Sequence, residues 1–152
     1  MHADVDMSGR IEETNRPTAL GLANGVQYSV LISAREKRLA IASLGQVYPH
    51  WSRRLIHVRL FSTLLYLLLY DHLERLALVT VDPEYPGHER DIKDWVLTLC
   101  RRRGLKVFAD QVTFRRVGKK SPAHYLAYGV FKGRRKPDRM ITTQDILAEL
   151  GQ

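Results

Sequence analysis

The stretch Leu76-Ala77-Leu78-Val79-Thr80-Val81 runs straight into Asp82-Pro83-Glu84. Leu76, Leu78, Val79 and Val81, with the β-branched Thr80, read as a short buried strand. Pro83 has no N–H to give to a sheet, so the strand stops there. A carboxylate, Asp82, is thereby delivered to the end of a strand. In open α/β folds that rim is where ligands and metals bind. An Asp before a Pro also fits a plain turn, so the elements around this strand decide its meaning.

Upstream, Ser52 is a natural N-cap for a helix over residues 53–75. Its segment Leu60-Phe61-Ser62-Thr63-Leu64-Leu65-Tyr66-Leu67-Leu68-Leu69-Tyr70 is apolar nearly all round, which predicts burial on several faces. Downstream, Pro86-Gly87 predicts a turn, followed by a helix over about 88–103. Ile92, Trp95, Val96 and Leu99 mark one face of that helix. Arg101, Arg102 and Arg103 suit its C-terminal dipole, and Gly104 suits its C-cap. Residues 105–108 and 111–114 predict a further strand, and 118–122 a loop. Ser121 and Pro122 predict the cap and first position of a helix over about 122–132. A last short helix is expected over about 144–150.

The N-terminal third reads as antiparallel β-structure. Alternation over residues 3–8 places Asp4 and Asp6 on one side of a strand and Val5 on the other. Ser8-Gly9 breaks it. Apolar runs at 18–23 and 26–32 flank Asn24-Gly25, a strong hairpin signal. Residues 34–38 read as a charged turn and 39–43 as an edge strand. The order predicts one α/β domain over residues 1–152, with a mixed sheet (antiparallel strands first, then parallel) flanked by helices.

Composition narrows the class. The chain has 152 residues and ordinary apolar content, 45%, enough for a real core. Its longest apolar run is too short to span a bilayer. No signal peptide is visible, and the lone Cys100 cannot form an internal disulfide. Both features predict a cytoplasmic setting without membrane attachment. Net charge is +8, and its distribution is uneven. Between Arg101 and Arg139 stand thirteen Lys/Arg against Asp110 and Asp138, a net of +11 that leaves −3 elsewhere. Concentrated positive charge favours a polyanionic partner, most often nucleic acid or an anionic membrane surface.

Three motifs now fall into line. Asp6-Met7-Ser8-Gly9 resembles the first-strand Asp-x-Ser pattern of the ribonuclease H-like superfamily, which supplies a metal-binding aspartate. Val81-Asp82-Pro83-Glu84-Tyr85, after a long helix, resembles that family's fourth-strand segment, whose aspartate binds the same metals. Ser121-Pro122-Ala123-His124-Tyr125-Leu126-Ala127 resembles the start of its closing helix, with His124 where a last carboxylate usually stands. The argonaute PIWI branch is similar in allowing a histidine there. The resemblance implies a ribonuclease H-like fold and a metal-dependent nuclease. Catalysis and metal binding would fall to Asp6, Asp82 and His124. One departure is plain: the family's glutamate on the first long helix has no match, since residues 55–61 contain no acid. Either Glu84, Glu12 or Asp4 substitutes, or the site is incomplete.

Chemistry explains the residue types. Phosphodiester hydrolysis can use two divalent ions about 3.5–4 Å apart, one activating water and one stabilising the leaving oxygen. Mg²⁺ prefers carboxylates and water, whereas a histidine ligand makes Mn²⁺ more acceptable. On this expectation Asp6, Asp82, His124 and Glu84 hold Mg²⁺ or Mn²⁺. Alternatively His124 moves a proton, the role imidazole fills near neutral pH. Arg115, Arg116, Lys119 and Lys120 lead up to His124, and Lys132, Arg134, Arg135 and Lys136 follow the same helix. They predict a sequence-independent phosphate track for RNA, DNA or hybrid. Two further readings compete: a nucleic-acid-binding module of the same fold with a degraded site, and a basic domain for an acidic protein partner. His57 on an apolar helix and His50 beside Trp51 read as structural, and Cys100 as inert.

Overall fold

Alternation in His2–Ser8 (β1) sets the sheet. Ala3 and Val5 point into the main core, and the intervening Asp4 and Asp6 to the opposite face. A computed structural model describes residues 1–150. In it β1 pairs antiparallel with Thr18–Ala23 (β2), which pairs antiparallel with Tyr28–Ile32 (β3). Asn24 and Gly25 both take positive φ in the connection, as the sequence predicts. On its other side β1 pairs parallel with Leu78–Val81 (β4), and β4 parallel with Val112–Phe114 (β5). A sixth strand, Arg139–Ile141 (β6), lies parallel to β3. The result is an α/β fold with a mixed six-stranded sheet in the order β5-β4-β1-β2-β3-β6.

Helices cover both faces. Ala34–Val47 (α1), Arg53–Leu69 (α2) and Thr143–Leu150 (α5) lie on the face that Val5, Leu20 and Leu22 enter. Glu89–Arg102 (α3) packs against α2. Thirteen of the seventeen residues of α2 are buried, so it forms the centre of the core. Each fully buried leucine contributes about 1.5–3 kcal/mol. Ser62 and Thr63 sit in this apolar helix because their hydroxyls donate to the carbonyls of Val58 and Arg59. On the opposite face Pro122–Phe131 (α4) stands over β1, β2 and β3, packing Ala123, Leu126 and Val130 on Ala19 and Ala23. Among the described residues no helix is long and apolar enough to cross a membrane.

The structure corrects the reading of residues 34–43. They form α1, not a turn and an edge strand. Ser33 caps the helix by accepting the Glu36 N–H, and Arg35, Glu36, Lys37 and Arg38 are good helix formers. Lys37, Ala40 and Leu44 then fall on one buried face. The long helix ends at Leu69, followed by a short 3₁₀ turn at Leu73–Arg75. β4 begins at Leu78 rather than Leu76, although Leu76 is buried. Residues 105–108 add no strand. β6 carried no sequence signal, being three residues long. It is held by Asp138, whose carboxylate accepts the Ser29 N–H and hydroxyl and whose N–H donates to the Ser29 carbonyl.

Candidate metal centre

Register places the acids. Asp6 on β1 lies opposite Gly21 on β2, on the face covered by α4. Val5 pairs with Val81, and the Asp82 N–H continues the ladder by donating to the Val5 carbonyl at 3.0 Å. Asp82 therefore stands level with Asp6 on the neighbouring parallel strand. Successive side chains alternate, so Asp82 turns to the same face as Asp6. Both lie at the carboxyl ends of their strands, the rim where open α/β sheets bind ligands. Pro83 ends the strand, and Glu84 folds back toward the two aspartates. Asp6, Asp82 and Glu84 each offer a carboxylate oxygen within 4.8 Å of the others.

His124 comes from above. Ser121 caps α4 by accepting the His124 N–H at 3.1 Å, and Pro122 takes the first turn. This sets His124 one turn into the helix, where its Nδ1 lies 2.9 Å from Asp6 Oδ2. Such a close approach needs Gly21. A Cβ there would stand 2.9 Å from the Ala127 nitrogen and 3.0 Å from the Ala123 carbonyl oxygen. Asp6 Oδ1 accepts the Met7 N–H, and Asp82 Oδ1 accepts the Val117 N–H at 2.8 Å, drawing the loop after β5 over the site.

Crowded carboxylates in a half-dry place resist ionisation together. Burial pushes the Glu84 carboxyl up to about 8, helped by the charges of Asp82 and Asp6 and opposed by Arg10. Asp6 is also raised, chiefly by burial, with the His124 and Met7 hydrogen bonds opposing. A divalent cation meets the need of such a cluster, because three carboxylate oxygens form a hard donor set suited to Mg²⁺ or Mn²⁺. His124 adds an imidazole bonded to one of those acids.

Asp6 and Asp82 open onto a cleft of about 700 Å³ lined also by His124, with Arg10, Arg116 and Lys119 at its walls. Of the expected phosphate contacts, Arg116 and Lys119 thus face the site. Lys120 is exposed in the same loop, whereas Arg115 lines a separate hollow with Lys93 and Asp110. Lys132 and Arg134 place their cations 5.9 and 5.8 Å from the Tyr128 ring centre, at the far end of α4. Arg135 and Lys136 are exposed beyond them.

Arg10 was missed in the sequence, having no motif to announce it. Its loop is held by Lys37, a fully buried amine that donates to the carbonyls of Arg10 and Glu13 and to the Thr18 hydroxyl. Among the candidate substitute acids, Glu12 instead accepts the hydroxyl of the buried Tyr85. Asp4 is approached by the Asn24 amide at 3.5 Å, near the opposite end of β1. Glu84 is the acid that joins Asp6 and Asp82. His57 and Cys100 lie in the core, where burial pushes the thiol up to about 12. Comparison with family models, curated proteins and solved structures gives no match, so these residues alone carry the functional reading.

Proposed function

We propose that this chain is a divalent-metal-dependent nuclease of ribonuclease H-like fold. The strand order β3-β2-β1-β4-β5, antiparallel then parallel, supports the fold assignment. So does the position of an aspartate at the ends of β1 and β4. The observation that carries the activity is the convergence of Asp6, Asp82 and Glu84 within 4.8 Å, where Asp6 and Asp82 border a cleft walled by Arg10, Arg116 and Lys119. Acids alone would repel a phosphodiester. Acids that hold cations, ringed by basic side chains, attract one.

Asp6, Asp82 and Glu84 would hold Mg²⁺ or Mn²⁺, which when bound activates water and stabilises the charge that develops at phosphorus. Glu84 replaces the acid missing from α2. Arg10, Arg116 and Lys119 neutralise phosphate oxygens and set the backbone in the cleft. His124, fixed by the helix cap and by Asp6, stands at the cleft wall. There it completes the ligand set or carries a proton between bulk water and the reacting oxygens.

Cleavage of labelled RNA, DNA and RNA–DNA hybrid with Mg²⁺ or Mn²⁺ tests the proposal. Wild type cleaves at least one of them, EDTA abolishes the activity, and Asp82→Asn abolishes it at unchanged fold. Binding without metal-dependent cleavage would replace the nuclease by a binding module. Cleavage undiminished in Asp82→Asn would remove the site from the reaction.

A further inference from the structure

The exposed side of α4 bears an aromatic surface that the chemistry above does not use. Tyr125 is 61% exposed and Tyr128 39% exposed, large rings on a helix whose other face is buried. They are three residues apart, so they share one side of the helix. Tyr128 also follows His124 by one turn. The two rings lie almost parallel, 12° apart with centres separated by 6.1 Å, and Tyr125 stands edge-on to the same imidazole. The cations of Lys132 and Arg134 lie over the Tyr128 ring. A continuous line therefore runs from Asp6 through His124 and the two tyrosines to the exposed basic run. From His124 to Lys132 it extends about 12 Å along the helix axis.

Alternation of exposed aromatic rings with cations suits one class of ligand. Unpaired bases present flat faces to the rings while the intervening phosphates meet Lys and Arg. Bases inside a duplex are already stacked on each other and cannot offer those faces. An acidic peptide would satisfy the cations but leave the rings in water. Resting on the nuclease reading for its neighbouring site, we propose that Tyr125 and Tyr128 form a stacking platform for single-stranded nucleic acid. The strand lies along α4, its phosphates gripped by Lys132 and Arg134, and enters the cleft at His124. Tyr125 provides the freer face. Tyr128 takes the base nearer the basic run once Lys132 and Arg134, which lie over its ring, turn to the phosphates.

Anisotropy of short labelled oligonucleotides, measured in EDTA so that no metal-dependent cleavage occurs, tests this directly. Single-stranded RNA and single-stranded DNA are separate arms, each compared with its duplex. Wild type binds a single strand more tightly than the duplex of the same sequence. Tyr125→Ala and Tyr128→Ala each weaken single-strand binding about 5- to 150-fold, while Tyr125→Phe and Tyr128→Phe bind as wild type. The salt slope is unchanged in the tyrosine variants and falls by about 0.7 in Arg134→Ala. Wild-type binding by both alanine variants, or equal affinity for duplex, would overturn the platform. The result is separable from the nuclease reading. A tyrosine effect without cleavage sinks the nuclease and keeps the platform, and cleavage without a tyrosine effect does the reverse.

Discussion

Removing one charge from the acidic cluster should stabilise the metal-free protein, and the gain should depend on pH. Glu84 sits against Asp6 and Asp82, and its carboxyl rises from an ordinary 4.5 to about 8. A carboxyl raised on folding binds its proton more tightly in the native state. Its contribution to stability is complete below pH 4.5 and is lost as pH rises to 8. The loss accrues at about 1.4 kcal/mol per pH unit, or roughly 3 kcal/mol by pH 7. Glu84→Gln mimics the protonated form and escapes this loss. In EDTA, the stability of the variant relative to wild type should therefore grow by roughly 3 kcal/mol between pH 4.5 and pH 7. For a chain of this size that is on the order of 10 °C in melting temperature. Divalent metal should reverse the order. Bound cations favour the ionised cluster and displace the Glu84 proton. Metal at about 1,000 times its dissociation constant adds about 4.1 kcal/mol to whichever protein binds it, more than the gap of roughly 3 kcal/mol at pH 7. Urea unfolding of both proteins across this pH range, with EDTA and then with Mn²⁺, gives all four curves. Parallel curves for wild type and Glu84→Gln in EDTA would refute the electrostatic argument. Equal stabilisation of both by Mn²⁺ would refute the assignment of Glu84 to the metal.

Two other perturbations probe the parts that position the site. Lys37 is a buried amine lowered from 10.5 to about 8, mainly by burial. Its charge costs stability below pH 8, and the cost is relieved as pH rises to 10.5. The stability of wild type relative to Lys37→Met should rise by roughly 3 kcal/mol across that window; a flat difference would show that the amine is not held as described. Gly21→Ala should force α4 away from β2, because the new Cβ meets helix backbone at 2.9 and 3.0 Å. Urea unfolding should register a loss of about 1–3 kcal/mol. Mn²⁺ affinity should fall as His124 moves off Asp6; unchanged stability and affinity would mean the helix tolerates the methyl.

How far the sequence revealed this arrangement follows from the range of the forces involved. The hairpin at Asn24-Gly25, the caps at Ser52 and Ser121 and the face of α3 are local, and local residue preferences specify them. Asp6 and Asp82 were brought together by the resemblance of their motifs, whereas their level placement comes from the pairing of β1 with the distant β4. α1 was misread because Leu39 and Ile41 look like alternation, whereas the buried stripe is Lys37, Ala40 and Leu44. A lysine on a buried face inverts the usual pattern, and only the distant carbonyls of Arg10 and Glu13 make it tolerable. β6 was invisible for a related reason. Its partner is more than a hundred residues away, and its anchor is the Ser29–Asp138 contact. The same holds within the site. Glu84 was one of three possible substitute acids in the sequence, and the turn after Pro83 brings it, not Glu12 or Asp4, to the two aspartates. Arg10 entered the cleft through a loop that no motif marks.

Asp6, Asp82 and Glu84, on the reading proposed above, form one divalent-metal centre. Its most direct test is the anomalous scattering of Mn²⁺ in crystals of the wild-type protein. Mn²⁺ peaks should appear between these three carboxylates and should be lost in Asp82→Asn. Ordered crystals soaked in Mn²⁺ with no peak at the cluster would contradict that reading.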